Sequence, residues 1–125
     1  MPGARRILVV DDLADQRRMY GAYLEHEGYE VRTAANGTEA IALAVEFRPD
    51  LIVMDLSMPG LDGFEATRVL KQMERTRDIP VLALTAYGEH LPEEWAREVG
   101  CAAYLRKPLL PGELAEHCAR WLPLP

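Results

Sequence analysis

An alternation along the chain constrains its fold more than any other feature. Five short apolar runs, at residues 7–10, 30–34, 51–54, 79–84 and 102–105, are each followed by a longer stretch with apolar residues at helical spacing. Strands that alternate with helices imply parallel pairing through helical crossovers. Four of the five runs are nearly continuous in apolar residues, as strands covered on both faces are. The expectation is an α/β protein, a (βα)5 doubly wound chain around a five-stranded parallel sheet.

The helical stretches carry their own signals. Ala40, Leu43, Ala44 and Phe47 fall at i, i+3, i+4 and i+7, and Ala66, Val69, Leu70 and Met73 repeat that spacing, each set marking one buried stripe. Leu13, Tyr20 and Leu24 predict a first helix, Trp95 and Val99 a fourth, and Leu114, Cys118 and Trp121 a fifth. Asn36 ahead of Glu39, and Asp62 ahead of Glu65, read as capping boxes, while Gly28 and Gly100 stand where helices stop. No linker-like or repetitive tract interrupts the pattern, so residues 1–125 read as one domain with no room for a second.

Charge and cysteine content narrow the function. The chain has 14 basic and 20 acidic side chains, a net charge of −6. That balance argues against nucleic acid and against anionic membrane surfaces, both of which call for a basic patch. The apolar run at 7–10 is too short for a signal peptide, and nothing approaches the length of a membrane span. Cys101 and Cys118 are too few for a disulfide framework or a zinc site, which places the chain in a reducing cytoplasm.

Open parallel sheets bind ligands at the carboxyl ends of their strands. The first strand ends in Asp11 and Asp12, the third in Asp55 and the fourth in Thr85, and Lys107 follows the fifth. At ~4 Å and an effective dielectric near 20, each pair of like charges costs about 4 kcal/mol, so crowded carboxylates need a cation. Oxygen-only donors without nearby His or Cys select a hard ion. Mg²⁺ is the natural choice, because it takes one or two carboxylates together with phosphate oxygens. Lys107 and the Thr85 hydroxyl suit phosphoryl oxygens, and Asp55 is the expected nucleophile, forming an acyl phosphate.

The stretches VVDD, LIVMDLSMPGLDG, PVLALTA and YLRKP, in that order and over essentially the whole chain, resemble the receiver domain of two-component response regulators. The resemblance implies the flavodoxin-like strand order 2-1-3-4-5 and a cis Lys107–Pro108 bond. It implies that Asp55 accepts a phosphoryl group from a phosphohistidine on a histidine kinase or histidine phosphotransfer protein. Asp11 and Asp12 are then the acidic metal pair, with Asp55 and the backbone carbonyl of Ser57 as further ligands. Thr85 and Lys107 would hold phosphoryl oxygens, and Tyr104 matches the switch aromatic that turns inward as the threonine moves. Output would pass to a partner protein through the face of the fourth helix, fifth strand and fifth helix. Receivers carried on hybrid kinases share the wording LDGFEATR and PVLALTA, so an excised receiver segment is a second form of the same reading.

Taken singly, each of these residues also has a plain structural reading: an Asp pair as a turn, Thr85 as a strand residue, Lys107 as a surface charge. Their joint placement favours chemistry. Asp62 reads as a cap and Asp50 as a turn, His26, His90 and His117 as surface residues, Trp95 and Trp121 as packing residues, and both cysteines as small buried side chains. Tyr87, two residues after Thr85, is expected to screen an acyl phosphate from water. Leu13 is apolar where relatives often carry a polar residue. A Mg²⁺-dependent aspartyl-phosphate phosphohydrolase is the rival enzyme, but it would need a general acid where Ser57 stands. A flavin carrier of the same topology would need a phosphate loop in place of the acidic DDLAD segment.

Overall fold

The computed structural model describes residues 3–58, 63–85 and 93–122. In chain order these form β1 (Arg6–Val10), α1 (Ala14–His26), β2 (Glu30–Ala34), α2 (Gly37–Phe47), β3 (Leu51–Asp55), α3 (Gly63–Gln72), β4 (Val81–Thr85), α4 (Glu93–Glu98), β5 (Ala103–Arg106) and α5 (Pro111–Trp121). The strands make one parallel sheet in the order β2-β1-β3-β4-β5. This is the flavodoxin-like arrangement expected from the sequence.

The two-residue period of the strands divides the core into two layers. Leu8, Val10, Ile52, Met54, Val81 and Ala83 face the side covered by Ala40 and Ala44 of α2, Ala66 and Leu70 of α3 and Ala96 of α4. Their neighbours Ile7, Val9, Leu51, Val53, Leu82 and Leu84 face the other side, against Tyr20 and Leu24 of α1 and Leu114 and Cys118 of α5. Each fully buried Val, Leu or Ile contributes roughly 1.5–3 kcal/mol by leaving water. The near-continuous apolar runs are therefore explained by burial on both faces. Among the described residues no helix is long and apolar enough to cross a membrane.

Several boundaries differ from the sequence pattern for local reasons. β4 begins at Val81 rather than at position 79, because Ile79 closes a turn through its N–H to the Thr76 carbonyl at 3.0 Å and Pro80 has no N–H to give. The last three strands extend one residue further than the apolar runs, taking in Asp55, Thr85 and Arg106. Leu13 is not part of the α1 stripe: it is the residue before the helix and is 53% exposed. Trp95 and Trp121, expected to pack, are 52% and 44% exposed. Trp95 contacts Phe64 edge-on at 6.2 Å, and Leu122 takes the buried place expected of Trp121.

The caps follow the pattern with one shift. Asn36 Oδ1 accepts the Glu39 N–H at 2.9 Å, but Glu39 Oε1 reaches past Asn36 to the Ala35 N–H at 2.8 Å. Asp62 lies outside the described residues, as do Tyr87 and His90. Gly28 and Gly100 end α1 and α4 with φ of 107° and 103°, a conformation costly for any residue with a Cβ. His26 is exposed and His117 half-buried, Cys118 is buried and Cys101 partly so. The Lys107–Pro108 bond is cis.

Candidate functional site

Sheet register carries the polar residues to one edge. Val10 pairs with Met54, so Asp11 and Asp55 leave neighbouring strands at the same level. Asp55 pairs with Leu84 and Thr85 with Arg106, which brings Thr85 and Lys107 to the adjoining strand ends. The Lys107 N–H bonds the Thr85 carbonyl at 2.8 Å and fixes this last step. β2 stands at the sheet margin, beyond the reversal of strand order between β1 and β3, where such folds place their ligands.

Asp11, Asp12 and Asp55 each offer a carboxylate oxygen within 4.8 Å of the others. Asp11 and Asp55 are buried, and Asp12 is exposed at the mouth. Asp11 is held on both oxygens, by the Leu13 N–H at 2.9 Å and by Lys107 Nζ at 2.9 Å. Asp55 Oδ1 accepts the Ser57 N–H at 2.8 Å, and its Oδ2 meets Lys107 Nζ at a longer 3.4 Å.

Burial pushes the Asp55 carboxyl above its usual range, and the charges of Asp11 and Asp12 add to the rise, against the Ser57 N–H and Lys107, which oppose it. Burial alone would lower the Lys107 ammonium, but its hydrogen bond to Asp11 and the charges of Asp55 and Asp11 outweigh that and raise it. Lys107 is thus a fixed positive charge.

One ammonium among three carboxylates leaves two negative charges in excess, which one divalent cation would balance. The donors are all hard oxygens, and the exposed Asp12 keeps an entry open, so the residues fit Mg²⁺. The Thr85 hydroxyl is buried and finds no hydrogen-bond partner among the described residues. A buried hydroxyl left so costs about 1–3 kcal/mol, an expense understandable at a site built to bind oxygen atoms. Tyr104, half-buried on β5, packs against the layer under α2, α3 and α4.

Sequence reasoning missed three residues around this site. Gly63 opens α3 against the end of β3: a methyl group there would collide with the Asp55 carbonyl oxygen and lie 2.8 Å from Leu56 Cα. The signal was the glycine following Asp62, where cap spacing drew attention to the aspartate alone. Gln16 accepts a hydrogen bond from Lys107 Nζ at 2.5 Å, and Tyr20 donates its hydroxyl to the Leu109 carbonyl at 2.9 Å. Their spacing of one helical turn was visible, but nothing local tied it to a lysine in the last quarter of the chain.

Comparison with known proteins agrees with this geometry. The chain is 40% identical over 105 residues to the polar-differentiation response regulator DivK of Brucella anthropi, covering 84% of this chain and 85% of that protein. Its fold matches the chemotaxis response regulator CheY4 of Vibrio cholerae with a TM-score of 0.86 at 36% identity, over 95% of this chain and 99% of the other. The receiver domain of a sensor histidine kinase from Pseudomonas aeruginosa PAO1, crystallised with a magnesium ion coordinated in its active-site cleft, matches with a TM-score of 0.84 at 36% identity, over 96% of this chain and 98% of the other. The family model for the response regulator receiver domain matches residues 7–119. With the strand order, the acidic cluster and these matches in agreement, the chain belongs to the response regulator receiver domain family.

Proposed function

We propose that this chain is a phosphorylation-dependent switch in which Asp55 takes a phosphoryl group from a phosphohistidine on a histidine kinase or histidine phosphotransfer protein. The observation that carries the reading is the meeting of Asp11, Asp12 and Asp55 around Lys107 at one sheet edge. Phosphorylation-dependent switching is the general role of the receiver family. In the proposed step a bond forms between an Asp55 carboxylate oxygen and phosphorus as the phosphorus–nitrogen bond of the donor breaks. The electron pair stays on the imidazole nitrogen, which takes a proton from solvent.

The residues divide the work between them. The Ser57 N–H orients the Asp55 carboxylate, and Lys107 supplies a charge-assisted donor for a phosphoryl oxygen. The unpartnered Thr85 hydroxyl supplies a second donor. Asp11, Asp12, Asp55 and the Ser57 backbone carbonyl would hold Mg²⁺, which supplies positive charge against the carboxylates and the phosphoryl oxygens. Movement of Thr85 toward the phosphoryl group, with Tyr104 following, would alter the α4-β5-α5 face read by a downstream effector protein.

Residues 1–125 form one receiver domain in this reading, working in the cytoplasm, as its two free thiols suggest. The resemblance to DivK supports a stand-alone regulator, and that to the kinase receiver supports a segment of a hybrid kinase. Incubation with a small phosphodonor and Mg²⁺, read by intact-protein mass spectrometry, is expected to give one phosphoryl group per chain at Asp55. Sustained release of phosphate would favour a phosphohydrolase instead. No uptake, or uptake that survives Asp55→Asn, would overturn the reading.

A further inference from the structure

Lys107 has a third partner, outside the acidic cluster. Its Nζ donates to Asp11 Oδ2 at 2.9 Å, to Asp55 Oδ2 at 3.4 Å and to Gln16 Oε1 at 2.5 Å. An ammonium has three N–H donors, so all three are committed. Gln16 stands in the first turn of α1, half-buried, and Tyr20 stands four residues on along the same helix face. Tyr20 is buried, and its hydroxyl donates to the Leu109 carbonyl at 2.9 Å. One face of α1 thus grips the segment after β5 at two points, across 91 and 89 residues of sequence.

We propose that Gln16 is a positioning residue for phosphoryl transfer: with Tyr20 it forms a clamp on α1 that fixes where the Lys107 ammonium stands. Four rotatable bonds give a lysine side chain about 2 kcal/mol of rotamer entropy, so the two carboxylates of Asp11 and Asp55 alone would leave the ammonium spread between them. Gln16 adds an acceptor from α1, outside the carboxylate cluster, and three acceptors in fixed places define one position. The longest contact, to Asp55, is the one a phosphoryl oxygen replaces. Asp11 and Gln16 keep the ammonium in place through that exchange. Being neutral, Gln16 does this without adding a further negative charge to repel the phosphoryl group.

The inference rests on the proposed chemistry at Asp55, and the test separates the two. The chain has only two lysines, Lys71 and Lys107, so its ammonium NMR spectrum has an internal control. Lys71 bonds the carbonyls of Arg77 and Ile79 at 3.0 and 2.6 Å, remote from the acidic cluster. Gln16→Met keeps the side-chain length and removes the acceptor. It is expected to speed solvent exchange of the Lys107 ammonium protons about tenfold, the scale of one charge-assisted hydrogen bond, and to leave Lys71 unchanged. Phosphorylation of Asp55 by a small donor at saturating Mg²⁺ should slow by about the same factor.

In a Lys107→Met background, Gln16→Met should have no further effect on the rate, as required of a residue that acts only through Lys107. Unchanged Lys107 exchange, an unchanged labelling rate, or an equal loss in the Lys107→Met background would each overturn the clamp. Absence of label in every variant, with the wild type included, would overturn the chemistry at Asp55 instead, and the exchange measurement would still decide whether Gln16 fixes the ammonium.

Discussion

Burial, helped by the carboxylates of Asp11 and Asp12, raises the Asp55 carboxyl above its usual range, against one backbone N–H and a lysine 3.4 Å away. A carboxyl whose pKa is raised on folding weakens the fold at neutral pH, so its neutral isostere should strengthen it. Asp55→Asn is expected to melt several degrees above wild type in the presence of a chelator; a lower melting temperature would contradict this account. Mg²⁺ at ten times its Kd should stabilise wild type by about 1.4 kcal/mol, with the gain largely lost in Asp55→Asn. Thr85→Val, which replaces an unpartnered hydroxyl by a methyl group of similar size, should leave stability unchanged or slightly raised in denaturant titrations. The same variant should lose the structural response to phosphorylation, read by comparing NMR spectra with and without phosphodonor.

Among the elements, the start of α3 at Gly63 lies hard against the end of β3. Gly63→Ala should cost about 1–3 kcal/mol by overpacking and slow labelling of Asp55, since the collision is with the backbone of Asp55 itself. Equal stability in chemical denaturation would show that the helix start can move aside. At the end of α5, Leu122→Ala is expected to cost about 2–4 kcal/mol and Trp121→Ala under about 1, because Leu122 is 5% exposed and Trp121 44%. Element type and order were legible in the sequence because doubly buried strands must be apolar throughout and their neighbouring helices striped. The phase of a stripe at a helix end was less so: one apolar residue more or less at Leu13 or Trp121 leaves the period intact while exchanging inside for outside. Asp11, Asp12, Asp55, Thr85 and Lys107 were legible because each follows an apolar run. Gln16, Tyr20 and Gly63 were not, since their partners are set by how helices dock, which local patterning does not encode.

Across the whole molecule, buried ionisable groups of the α1 and α5 layer define a pH limit. Burial pushes the Cys118 thiol up to about 12 from 9.0, and raises Tyr29, whose hydroxyl bonds the Leu122 carbonyl at 3.1 Å. In the other layer Cys101 is pushed up to about 11, again by burial. Well below pH 9 both thiols are neutral whether the chain is folded or not, and they leave stability unaffected. Above it the unfolded chain releases protons that the folded chain retains, so stability falls by up to about 1.4 kcal/mol per pH unit for each thiol. Denaturant midpoints should therefore drop steeply from pH 9 to 11, and Cys118→Ala should flatten the slope; a parallel decline in that variant would assign the effect elsewhere.

The salt bridge between Asp11 and Lys107 joins residues 96 apart, from the first strand end to the last. Neither a nascent chain short of β5 nor a chain whose C-terminal third has come loose can form this contact, so the acceptor proposed for Asp55 would lack its lysine. In the proposed chemistry, efficient charging would therefore report that the two ends of the chain have met, and not only that Asp55 is present.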